Sequence, residues 1–274
     1  MPELPEVETI KSGLETLIKI NDPIEKLELY RPDLRFTIPK NLENILKGSC
    51  VVGIERRAKY ILFKLQQGVL LSHLGMTGSW RNGGLKSPLI KHDHCKLVFG
   101  SGLCLIYNDP RRFGFLDWIP NGKLARSKWL KHLGPEPLDG ETFNSDYLFE
   151  VAKKSNAPIK SFIMNQKMVV GVGNIYACEA LFIAGIRPTK RASLLSRKKT
   201  NDLVSAIKQV LFQAIKQGGS SISDFKKVDG DRGYFQNSHK VYGKESQPCG
   251  ECGERIKKVT IAGRSSFYCP KCQT

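Results

Sequence analysis

Apolar residues near the start of the chain recur at helical spacing. Val7, Ile10, Leu14 and Leu17 follow Pro5 and Glu6, the pattern of a proline-initiated helix with an acidic first turn and one buried stripe. The period then shortens. Runs at 51–54, 60–65, 69–74, 96–99 and 103–107 read as strands punctuated by glycine and proline, which suits an antiparallel sandwich or barrel. A breaker-rich stretch, Leu133-Gly134-Pro135-Glu136-Pro137-Leu138-Asp139-Gly140, reads as a linker. Helical spacing returns at 145–154, 159–165, 175–184 and 198–217, and from Gly218 the chain is rich in loops. The fold class expected is α+β, divided at 1–134, 135–235 and 236–274.

Composition narrows the partners. The 274 residues suffice for two modest domains with buried cores. The 43 Lys and Arg against 26 Asp and Glu leave a net charge of +17, which favours a polyanion: DNA, RNA or an anionic membrane surface. No apolar run approaches the roughly 20 residues of a spanning helix, and the start lacks a basic-then-apolar signal segment. A soluble, intracellular protein is expected. Of the eight cysteines, Cys50, Cys95, Cys104 and Cys178 lie among apolar neighbours and read as reduced, small hydrophobic residues.

The other four make a motif. Cys249 and Cys252 are separated by sixteen residues from Cys269 and Cys272, a spacing that matches a tetrahedral four-thiolate zinc site. With no open ligand position, such an ion is structural. Lys257, Lys258, Arg264 and Lys271 would make the enclosed hairpin a reader of nucleic-acid backbone, although zinc ribbons also bind proteins.

Several further constellations carry chemistry. Removal of Met1 would leave Pro2 as an N-terminal secondary amine beside the Glu3 carboxylate, a pair suited to iminium formation at a sugar C1′. The same residues also suit a plain helix start. Gly171-Val-Gly173-Asn174, preceded by Lys160 and Lys167, could present helix amides to a phosphate or simply join two helices. Asp109-Pro-Arg111-Arg-Phe113-Gly sets arginine beside an aromatic in a turn. This suits a wedge in DNA, or a turn whose Phe113 packs inward. Met76 tips another turn. Lys59 opens an apolar strand and reads as a surface cation or a phosphate-side acid. Lys91-His92-Asp93-His94 resembles a metal cluster but has no third well-placed ligand nearby, so phosphate binding or a strand-end network is expected.

Together these segments resemble the formamidopyrimidine-DNA glycosylases, bacterial bifunctional repair enzymes for oxidised purines. The likeness runs end to end through MPELPEVET, RRAKY, HLGMTG, KHDH, DPRRFG, LGPEPL, VVGVGNIYACEALF and GRSSFYC. It implies an N-terminal β-sandwich with its helix, a helix–two-turn–helix module and a zinc finger holding one structural zinc. It implies Pro2 as Schiff-base nucleophile and Glu3 as acid. Lys59 would serve β-elimination and Arg264 δ-elimination. His92, Arg111, Lys160 and Asn174 would contact DNA, and Met76, Arg111 and Phe113 would fill the void of a flipped nucleotide. The partner implied is damaged duplex DNA, bound by a cytoplasmic monomer. Two rival readings are an endonuclease VIII-like enzyme for oxidised pyrimidines, whose Pro-Glu-Gly start this chain lacks at Leu4, and a non-enzymatic zinc-ribbon DNA-binding protein. Ser223 stands where family members often carry Lys or Arg, which leaves the ranking of lesions open.

Overall fold

A computed structural model describes residues 1–221, 227–231 and 233–274; Ser223 lies outside the described residues. The chain forms two compact units. One comprises residues 1–131 and 218–234, the other 132–217 and 235–274. This grouping cuts the chain differently from the sequence expectation. Residues 218–234 return to the first unit, where the Val228 carbonyl accepts the Asn82 amide, and the finger packs with the helices rather than alone.

In the first unit, helix α1 (Leu4–Leu17) begins with a reciprocal cap. Glu3 accepts the amide of Glu6, and the Glu6 carboxylate accepts that of Glu3, with Pro5 in the first turn. Its stripe Val7, Ile10 and Leu14 is fully buried. Two four-stranded antiparallel sheets follow. The first is ordered β1 (Ile24–Leu29), β6 (Asp93–Phe99), β7 (Cys104–Asn108) and β5 (Ser79–Gly83). The second is ordered β2 (Val51–Arg57), β3 (Tyr60–Leu65), β4 (Gly68–His73) and β8 (Phe115–Pro120). Phe63 of β3 meets Trp80 of β5 edge to face at 5.6 Å, joining the two sheets through one core. The Trp80 indole N–H donates to Ser72 Oγ at 3.0 Å, so its buried polar atom is satisfied. The short helix α2 (Leu42–Leu46) packs beside β1.

The second unit holds α3 (Ser145–Ala152), α4 (Ile159–Met164), α5 (Asn174–Ile183) and α6 (Arg197–Lys216). Residues Tyr176 to Phe182 of α5 are buried without a break, as expected of a central helix covered on all sides. The twenty-residue α6 is amphipathic, capped by Ser196, and buries Leu203, Ile207, Val210 and Leu211. The hairpin β9 (Lys257–Ile261) and β10 (Arg264–Tyr268) turns through Ala262 and Gly263 at positive φ.

Candidate functional site

The first unit places its chemistry around the start of α1. Pro2 and Glu3 are buried, while Met1 is 44% exposed. Glu6, buried beside them, uses both carboxylate oxygens: one accepts the Glu3 amide at 2.8 Å, the other the Ser220 amide at 2.7 Å. Gly219 has φ of +78°, and a Cβ there would sit 2.8 Å from Glu6 Oε1, so only glycine lets the chain pass so close. The terminus carrying Pro2 is thus tied to the described start of the segment after α6.

Lys59, 9% exposed, follows Ala58, whose φ of +54° is uncommon for a residue with a Cβ. Arg56 holds that turn. It donates to the Ala58 carbonyl at 3.0 Å and to Glu8 Oε2 at 2.6 Å, linking the Lys59 turn to α1. The Lys59 charge also bears on His73, a residue to which the sequence reading gave no role. Burial, then the charges of Lys59 and Arg35, pull the His73 pKa down to about 4. His73 Nδ1 accepts the Gly75 amide at 3.0 Å and its ring stacks on Phe115 at 5.3 Å. The ring is therefore neutral near pH 7, with its proton on Nε2.

Two turns lie next to this ring. Gly75 has φ of +60°, and a Cβ there would come within 2.2 Å of the Phe113 carbonyl carbon. The turn carrying Met76 and the turn carrying Arg111 and Phe113 are thus pressed backbone against backbone. Phe113 is 40% exposed, with the Arg111 guanidinium over its ring at 4.7 Å. An exposed aromatic covered by an arginine in this turn excludes the inward-packed alternative.

Within the Lys91–His94 run, Asp93 and His94 form a strand-end network. Burial alone would raise the Asp93 pKa. Hydrogen bonds from Arg81, Asn108 and the Ile90 amide outweigh it and hold the carboxyl below its ordinary value. His94 Nε2 bonds the Asp109 carbonyl oxygen at 2.8 Å. His92 is partly exposed, at φ of +75°, and its own carbonyl accepts the Asp109 amide.

In the second unit Lys160 departs from expectation. It is 1% exposed, and its ammonium donates to Asn174 Oδ1 at 2.5 Å, the Ser265 carbonyl at 2.9 Å and Ser266 Oγ at 2.7 Å. Such a lysine is an internal cross-brace between α4, the start of α5 and the β9–β10 hairpin, not a surface cation. Asn174 donates in turn to the Ser265 carbonyl at 3.1 Å and reaches the Tyr242 hydroxyl at 3.5 Å. Arg264 is exposed at the start of β10. The turn before α5 is gripped by Gln166, whose Oε1 accepts the Gly171 amide and whose amide nitrogen donates to the Val172 carbonyl.

Glu179 is a second buried charge that the sequence reading passed over. Its carboxylate accepts the amides of Lys240, Val241 and Tyr242 at 2.7–3.0 Å. Burial raises its pKa despite these bonds. It fixes the backbone that carries Tyr242. Cys249, Cys252, Cys269 and Cys272 bring their sulfurs within 4.8 Å of one another, and they form the only such cluster of potential ligands among the described residues. Four thiols at that separation fit a tetrahedral zinc with every position filled. Cys249 and Cys269 pack with Cys178, Phe182, Val241 and Ile256, so the finger shares a core with α5.

Comparison with known proteins gives matches along almost the whole chain. Residues 1–116 match the formamidopyrimidine-DNA glycosylase N-terminal domain, 133–226 its H2TH domain, and 246–274 the zinc finger found in FPG and IleRS. A formamidopyrimidine-DNA glycosylase of Bdellovibrio bacteriovorus is 49% identical, with all of both chains covered. The Lactococcus lactis Fpg bound to abasic-site DNA superposes with a TM-score of 0.92 at 37% identity, covering 99% of each chain. MutM in complex with DNA containing carbocyclic 8-oxo-G gives a TM-score of 0.91 at 38% identity, covering 100% of each.

Proposed function

Because the chain belongs to the formamidopyrimidine-DNA glycosylase family, we propose that it excises oxidised purines from duplex DNA and cleaves the resulting abasic site. The observation that carries the residue assignment is the buried Pro2–Glu3 terminus held through Glu6. Once Met1 is removed, the Pro2 nitrogen is an amine rather than an amide. It attacks C1′ of the flipped nucleotide, the damaged base leaves, and an iminium forms. Glu3 protonates the opening sugar oxygen. Loss of a C2′ proton then expels the 3′-phosphate, with Lys59 moving the proton, and a second elimination expels the 5′-phosphate. Arg264, exposed on the finger hairpin, holds phosphate for that second step.

Met76, Arg111 and Phe113 fill the space the nucleotide vacates, which the exposure of Phe113 and its guanidinium cover support. His92 and Asn174 contact the DNA backbone. Lys160 serves that contact indirectly, by orienting Asn174 and the hairpin. Zinc folds the finger and takes no part in the chemistry. No helix among the described residues is long and apolar enough to cross a membrane, and the protein would act as a cytoplasmic monomer. A nicking panel of matched duplexes tests this reading, with 8-oxoguanine, formamidopyrimidine, thymine glycol and a pre-formed abasic site. Fastest cutting at the purine lesions is expected. Faster cutting of thymine glycol than of both would move the enzyme to pyrimidines, and cutting of the abasic duplex alone would reduce it to a lyase.

A further inference from the structure

Between the Met76 turn and the Arg111–Phe113 turn lies one carboxylate that the mechanism does not use. Asp109 is fully buried. Its Oδ1 accepts the Thr77 hydroxyl at 2.5 Å and the Arg111 amide at 3.3 Å, and its Oδ2 accepts the Gly114 amide at 2.8 Å. Thr77 Oγ1 also accepts the Arg111 amide at 3.2 Å. Thr77 is the neighbour of Met76, and Arg111 and Gly114 bracket Phe113. Arg112, between them, is held at φ of +54°, a conformation that needs support. Close packing adds to the constraint, since a Cβ on Gly114 would lie 1.8 Å from the Tyr107 side-chain hydroxyl.

We propose that Asp109 and Thr77 are positioning residues that lock the spacing of Met76 against Arg111 and Phe113, so that the three enter the base stack as one rigid wedge. The proposal rests on the wedge reading above. A buried, charge-assisted bond between two turns limits their relative motion, and the wedge needs a fixed width when the stack opens. The pair touches neither Pro2 nor Glu3, so its loss should slow opening of the duplex and spare the sugar chemistry.

The test compares Thr77→Val, Thr77→Ser and Phe113→Ala, each with the full chain. Two readouts are taken: single-turnover excision of 8-oxoguanine from duplex, and borohydride trapping on a single-stranded abasic oligonucleotide, which has no stack to open. Thr77→Val is expected to slow duplex excision about tenfold, with trapping within about twofold of wild type and Thr77→Ser near wild type. Asp109→Asn gives a second variant, expected to show the same split. Equal losses in both readouts, or no loss in duplex excision while Phe113→Ala shows one, would overturn the clamp. If Phe113→Ala itself leaves duplex excision unchanged, the wedge reading fails instead.

Discussion

Substituting Lys160 by methionine separates an internal brace from a phosphate contact. The ammonium donates to Asn174 Oδ1, the Ser265 carbonyl and Ser266 Oγ, and the Asn174 oxygen would lose the shortest of these bonds. The Ser265 carbonyl keeps a bond from Asn174, and Ser266 Oγ keeps its own bond to the Arg264 carbonyl. Desolvation of the ammonium is relieved at the same time. The net cost should therefore fall at the low end for breaking a buried charged cluster, about 3 kcal/mol. That corresponds to a drop in melting temperature of roughly 10 °C. The decisive assay is duplex binding as a function of salt. A lysine on a phosphate contributes about 0.9 to the slope of log affinity against log salt. Lys160→Met should weaken binding and lower the melting temperature while keeping the wild-type slope, whereas Arg264→Ala should lower the slope by about 0.9. A slope reduced by that amount in Lys160→Met, with an unchanged melting temperature, would refute the brace.

Removing zinc should loosen the finger without unfolding the first unit, because the core the finger shares with α5 is small, contains the ligand cysteines Cys249 and Cys269, and belongs to the second unit. Chelation should abolish duplex binding while near-ultraviolet dichroism of the buried Trp80 persists; binding that survives stoichiometric loss of zinc would contradict this. Acid should weaken the fold through His73 and His239, whose pKa values burial lowers to about 4. A folded pKa below the unfolded value of about 6.5 means that this stability is complete above pH 6.5 and is lost as pH falls toward 4, on the order of 3 kcal/mol each at most. Urea unfolding at pH 7 and pH 5 should show the loss, and His239→Asn should flatten part of the slope. An identical slope in the variant would show that His239 does not contribute to the acid sensitivity.

Much of this architecture was legible in the sequence because local patterns and tertiary demands coincide. The stripe of α1 and the long α6 carry clean helical periodicities, β3, β4 and β7 are short, almost continuously buried apolar runs, and the cysteine spacing announces the finger. Strand β1 was missed for a physical reason. An irregularity in its pairing between Ile24 and Lys26 sets its buried residues, Ile24 and Leu27, three apart instead of two. Strand β5 buries only Trp80, too little for a pattern. The placement of 218–234 in the first unit is invisible because it rests on an isolated buried side chain, Val228, and on backbone contacts such as Asn82 to Val228, neither of which makes a period. Buried charges were the other blind spot. Lys160 and Glu179 look like surface residues in a basic chain; only the fold reveals that each is surrounded by protein partners. Asp109 could have been suspected, since an acid beginning a Pro-Arg-Arg turn is a ready acceptor for that turn's amides.

Whether Pro2 is the nucleophile can be read from borohydride reduction during turnover of an 8-oxoguanine duplex, followed by peptide mapping of the cross-linked protein. The sugar remnant is expected on residue 2 of protein lacking Met1, and no adduct is expected from protein that retains it. A remnant on Lys59, or equal trapping with Met1 in place, would contradict the assignment.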